Sequence, residues 1–138
     1  MADWGQLGDY VKANYLVADE TTNSMLRLHF SVDDRGERSQ SVFVWNVPAQ
    51  SSEDEDWIQI ESVIGAFTKI DLRALLELTK TGVVGGVAVT QDSKQEWVVL
   101  RHAVPLADMS VEEFEKPLYY VMMLADSYEQ KLTGMDQH

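Results

Sequence analysis

The residues that could do chemistry are few. His29 and His102 carry imidazoles, but both fall in segments with strand periodicity and neither has a ligand motif beside it, so they are expected as sheet residues rather than metal ligands. Glu53, Asp54, Glu55 and Asp56 place carboxylates side by side, the ligand type that calcium prefers. A calcium loop of about twelve residues needs a glycine at its sixth position and a glutamate at its twelfth, and registers starting at Glu53 or Asp54 supply neither. A solvated acidic loop is the expectation there. The glycines of TGVVGG, residues 81–86, follow a helical pattern and lack the lysine and hydroxyl residue that complete a phosphate-cradling loop. No G-x-S-x-G elbow occurs. With no cysteine in the chain, thiol catalysis, thiolate metal sites and disulfides are excluded. The residues therefore give catalysis no positive support, and no metal, cofactor or nucleotide is expected.

Charge narrows the partners. Asp and Glu number 23 against 11 Lys and Arg, a formal net charge of -12 that repels phosphate backbones and anionic lipid alike. Nucleic acid and membranes are thus not expected as partners. The opening MADWGQLGDYVK has neither a basic leader nor an apolar run, and no segment approaches the ~20 apolar residues of a membrane span. The expectation is a cytoplasmic protein. A chain of 138 residues makes one domain, 1–138, able to bury roughly 70% of the surface its unfolded form exposes.

The elements that must position any site follow from periodicity. Asp3 can cap a first helix whose inner stripe is Trp4, Leu7, Val11 and Tyr15. At Leu26 the period drops to two: Leu26, Leu28, Phe30 and Val32 face one way, Arg27, His29, Ser31 and Asp33 the other. Asp33, Asp34, Arg35 and Gly36 supply a turn into SVFVWNV, whose apolar residues on both faces read as a central strand closed by Pro48. WIQIESVIGAF forms a third strand, with Ile58, Ile60, Ser62 and Ile64 on one face. Asp71 caps a short helix with Leu72, Leu75 and Leu76 inward, and Gly82 is placed to end it. Two more strands, VVGGVAVT and EWVVLRHAV, flank the polar turn QDSKQ, and Gly85 with Gly86 marks a bulge or a close backbone approach. The result is an α+β protein with a five-stranded antiparallel sheet packed against helices, in the order α-β-β-β-α-β-β-α.

The last helix has the sharpest start. Ser110 precedes Glu113 by three residues, the spacing of a capping box, with Met109 and Phe114 at the positions of a hydrophobic staple. Gly134 is available as the stop, so the helix runs from about Val111 to Thr133. At about 100° per residue, Val111, Phe114, Leu118, Val121, Met122, Ala125 and Leu132 form a core stripe. Tyr119, Tyr120, Met123 and Leu124 fall on the opposite side, in line with Glu112, Glu113, Ser127, Gln130 and Lys131. Leaving such side chains in water forfeits roughly 1.5 to 3 kcal/mol of burial for each. These four residues are therefore the candidate protein interface. Their cover is another part of the same chain, such as the first helix, a second subunit or an exchangeable protein ligand. Pro117 removes one helix hydrogen bond at the entrance to this window and is expected to bend the helix.

The order of elements, the small size, the acidity and the closing stretch VPLADMSVEEFEKPLYYVMMLADSYEQKLTG together resemble the type III secretion chaperone-like superfamily. That superfamily includes the bacterial YbjN-type proteins described as sensory transduction regulators. The resemblance spans nearly the whole chain and implies antiparallel sheets against helices, a homodimer, and an apolar surface that holds a segment of a client polypeptide. It brings no catalytic residues. DLRALLELTK matches the position of the dimer helix of the secretion chaperones, but it is short and leucine-rich enough to be taken up wholly by the core. The expected function is a non-catalytic protein-binding module, chaperone-like or a regulatory adaptor. The alternative is an enzyme or small-ligand binder with a pocket between sheet and helices, where Arg101 or His102 supplies a polar group.

Overall fold

A computed structural model describes residues 1, 3–33, 35–82, 85–92 and 94–133. Asp34 of the first turn, Val83 and Val84 at the start of the VVGGVAVT strand, Ser93 of the polar turn and the Gly134 stop lie outside the described residues. The elements in chain order are α1 (Trp4–Asn14), β1 (Val17–Thr21), β2 (Met25–Ser31), β3 (Ser39–Val47) and β4 (Trp57–Ala66). A 3-10 turn (Phe67–Lys69), α2 (Leu72–Thr79), β5 (Gly86–Gln91), β6 (Glu96–Pro105) and α3 (Val111–Thr133) complete the chain.

The strands form one sheet ordered β1-β2-β3-β4-β6-β5, with every neighbouring pair antiparallel. This is the expected α+β class, with a correction: among the described residues the sheet has six strands rather than five. The strand that periodicity missed is VADET, four of whose five residues are exposed. An edge strand open to water on both faces carries no alternation of apolar and polar residues to read. It forms because β2 offers it a free edge, and a register shift between Val17 and Asp19 accommodates the join.

One sheet face carries the helices. Leu26, Leu28, Val42, Val44, Ile58, Ile60, Val98 and Leu100 point from it into a core shared with Leu7 and Val11 of α1 and with Phe114, Leu118, Val121 and Ala125 of α3. Ser62 and Gln40 are buried among them and satisfy each other: the Gln40 side-chain amide donates to Ser62 Oγ at 2.7 Å, and that hydroxyl donates to the Ser41 carbonyl at 2.8 Å. The caps also form as read. Asp3 accepts from the Gln6 amide at 2.9 Å and Asp71 from the Ala74 amide at 3.1 Å. At Gly85, where φ is +80°, a Cβ would stand 2.6 Å from the Arg101 carbonyl oxygen, so the paired glycines mark a close backbone approach.

Two helical stripes need correction. In α2 only Leu75 is buried, while Leu72 and Leu76 are exposed. The short helix meets the core with a single turn, so its leucines are not all held in the interior. In α3, Val111 is 40% exposed instead of lying in the core stripe, and Tyr128 takes a buried place outside the expected stripe. The first turn of α3 buries Phe114 and so turns Val111 outward, and the tyrosine toward its far end lines the space beside Leu76 and Leu100.

Candidate functional site

The site is built on α3. Its start is fixed by the capping box: the Glu113 amide donates to Ser110 Oγ at 3.0 Å, and the Ser110 amide donates to Glu113 Oε1 at 3.1 Å. The Ser110 amide, and its hydroxyl with it, hold the Glu113 carboxyl below the usual glutamate range. Met109 and Phe114 are both buried beside the cap. The helix runs through Pro117 without interruption. Its core stripe locks the rotation of the rod, and that rotation decides which residues face outward.

The outward face carries an apolar ridge. Tyr119, Tyr120 and Met123 are 42%, 52% and 62% exposed. Together with Val111 they line a shallow groove of about 640 Å³, bordered by Glu115 and by the Glu112–Lys116 ion pair at 2.7 Å. Leu124 does not join them: it is half-buried and packs against the core from the side. The structure thus brings together three of the four residues read as an interface and adds Val111. The signal for Val111 lay in its spacing, since positions 111, 115, 119 and 123 follow one another at helical intervals of four residues.

The same chain covers one flank of the ridge. The Tyr119 ring packs at 6.4 Å from the Tyr15 ring and 6.1 Å from Phe30, and its hydroxyl lies 3.3 Å from that of Tyr15. Glu115 binds α3 to the end of α1 by accepting hydrogen bonds from the hydroxyls of Tyr10, at 2.8 Å, and Tyr15. Burial and the bond to Glu115 push the Tyr15 pKa up, and the bond to Glu115 raises that of Tyr10. Both phenols are therefore held as neutral donors rather than as nucleophiles. No ring contact or hydrogen bond among the described residues engages Tyr120 or Met123.

A second apolar surface lies on the sheet face that no helix covers. Phe43 and Trp45 of β3 stack with centroids 6.4 Å apart and planes at 18°. With Trp97 of β6 they wall a trough of about 560 Å³ whose floor includes Val63 and Val99. β3 is central, as its apolar residues on both faces implied, yet one of those faces is open. Sequence reasoning misses the trough because a two-sided apolar strand looks the same whether its second face is covered or bare.

Polar candidates are accounted for one by one. Arg101 is on this uncovered face and gives both Nε and one terminal nitrogen to Glu61 Oε1, at 3.0 and 2.8 Å. It is therefore not placed between sheet and helices. His102 faces the helix side, where Nδ1 accepts from the Gly85 amide at 3.1 Å and burial lowers its pKa. His102 borders an open hollow of about 430 Å³ between β6 and the start of α3, and a separate cavity of about 190 Å³ lies between α2, α3 and β6. His29 is exposed on β2. Among the described residues no three His, Asp or Glu side chains gather in a metal-binding group, and no helix is long and apolar enough to cross a membrane. The acidic run 53–56 is exposed: Asp54 accepts from its own loop's amides and Asp56 from the Ala49 amide, so these carboxylates shape a turn.

Comparison with protein-family models, with curated proteins and with solved structures finds no match to this chain.

Proposed function

We propose that this protein is a non-catalytic protein-binding module, chaperone-like or a regulatory adaptor, whose α3 ridge receives a polypeptide. A second copy of the chain is its first partner, forming a homodimer, and a client segment is the partner it exchanges for. One observation carries the reading: Val111, Tyr119, Tyr120 and Met123 align as one exposed ridge on a helix whose other side is fully used by the core. Exposed tyrosines suit this role because the ring supplies apolar area while the hydroxyl stays at the wet rim. The ion pair Glu112–Lys116 and the Glu115 carboxylate border the apolar strip with charge, the arrangement of a contact patch with a polar edge.

The resemblance to chaperone-like YbjN-type proteins points the same way. The small-ligand alternative would use the open hollow beside His102, which Glu112, Glu113 and Lys116 border.

The test uses a reduced, unfolded basic polypeptide such as lysozyme, whose aggregation is followed by turbidity. The parent chain is expected to delay the rise, and Tyr120→Glu is expected to lose that delay while its circular dichroism stays unchanged. Equal protection by parent and variant would remove the ridge from the role.

A further inference from the structure

The trough on the uncovered sheet face differs in kind from the ridge, because a charged group is built into its floor. Glu61 has a side chain only 8% exposed, and it lines the trough. Both hydrogen bonds from Arg101 arrive at Oε1. No donor among the described residues reaches Oε2. Arg101 takes one oxygen of this carboxylate, and Oε2, which is not sealed from water, is open to whatever enters the trough.

The walls suit a cation as well. Trp97 is held in place by its own indole, whose Nε1 donates to Asp92 Oδ2 at 2.9 Å. Asp92 also accepts from the Lys94 and Gln95 amides, each at 2.9 Å, and these bonds lower its pKa so that it stays anionic at the rim. The opposite wall is the stacked Phe43–Trp45 pair. Rigid indole faces next to carboxylates attract guanidinium groups, which stack on the ring and donate in the plane. Basic groups oppose this locally, among them Arg101, already paired with Glu61, and Arg27, cross-strand from Phe43 but outside the lining. The chain as a whole, at -12, draws cations toward the face.

We infer that this trough is a binding site for an arginine side chain on a basic, extended polypeptide segment. The guanidinium donates to Glu61 Oε2 and lies against the indole of Trp97 or Trp45. The inference rests on the reading of the chain as a polypeptide binder but not on the α3 ridge, which is a different surface.

The full chain is titrated with an acetylated, amidated pentapeptide bearing arginine at its second and fourth positions and glycine elsewhere. The indole N–H signals of Trp45, Trp97 and Trp4 are followed by NMR. Trp4, on α1, is the internal control. Saturable shifts are expected at Trp45 and Trp97 and not at Trp4. The citrulline counterpart, neutral but of the same shape, is expected to bind at least about tenfold more weakly, a difference near 1.4 kcal/mol. Glu61→Gln and Trp97→Leu are each expected to weaken the arginine peptide by about tenfold or more. If Glu61→Gln unfolds, Trp97→Leu carries the decision. Tyr120→Glu should leave binding of the peptide unchanged, so that a failed ridge and a failed trough are told apart. Equal binding of the citrulline peptide would make the trough a merely apolar surface and overturn the site. Equal shifts at Trp45, Trp97 and Trp4, with equal affinity for a lysine peptide and no loss in Trp97→Leu, would reduce the effect to the chain's general acidity and overturn it as well.

Discussion

At the residue scale, the paired glycines separate cleanly by geometry. Gly85 combines a positive φ with a Cβ position 2.6 Å from a carbonyl oxygen, whereas a Cβ on Gly86 meets nothing within 4 Å. Gly85→Ala is expected to cost about 1–3 kcal/mol, and Gly86→Ala to stay within about 0.5 kcal/mol of the parent, both read from urea midpoints. Gly85 also donates to His102, whose pKa is lowered by burial from its ordinary 6.5. Folding thus favours the neutral ring. Above that ordinary value neither state is protonated and the residue adds no pH dependence. As the pH falls through it, the unfolded chain takes up the proton first and stability is lost, until the folded ring titrates too. The difference in melting temperature between the parent and His102→Gln should therefore move against the parent between about pH 7.5 and about pH 5.5. A difference independent of pH would contradict the assignment. Neither effect was legible beyond its outline: GG in a strand pattern announces a close approach, but the partner, the Arg101 carbonyl, comes from a strand that only the fold brings alongside.

At the scale of elements, what could be read depended on how much of each element is buried. β2, β3, β4 and α3 have one full face in the core, so their periods were visible in the chain. β1 has no buried residue and left no period. α2 shows the opposite error, because its leucine-rich pattern promised more burial than one turn of contact delivers. Caps are more reliable than periods since their chemistry is local: three side chains, Asp3, Asp71 and Ser110, are legible from type and spacing, and all three make the bond. The capping box makes a further prediction. Ser110→Ala removes the acceptor for the Glu113 amide and should destabilise the protein by about 0.5–2 kcal/mol, measured by thermal unfolding. Because this cap also sets the start of the ridge at Val111, its loss should fray that end before the rest of α3, visible as faster amide exchange over residues 111–114.

At the scale of the whole molecule, the two uncovered apolar surfaces have different origins. The ridge was legible because a helix is read as a wheel, and a mid-helix apolar patch opposite the core stripe stands out in any sequence. Leu124 was included since a wheel has no knowledge of neighbours, and the flank of α3 on which it sits is closed by packing. The trough depends on which sheet face the helices choose, and no pattern within a strand carries that information. The acidic surface bears on both, for a charge of -12 disfavours close approach of two copies unless apolar contact offsets it. Association through the ridge should therefore tighten as salt is added.

The decisive comparison is the parent beside Tyr120→Glu/Met123→Glu, with mass measured by light scattering and fold by circular dichroism. A homodimer through the ridge predicts a parent heavier than the 15.6 kDa of one chain and a variant at that single-chain mass with an unchanged spectrum. A parent already at single-chain mass, or a variant that unfolds because those side chains belong to the core, would contradict it.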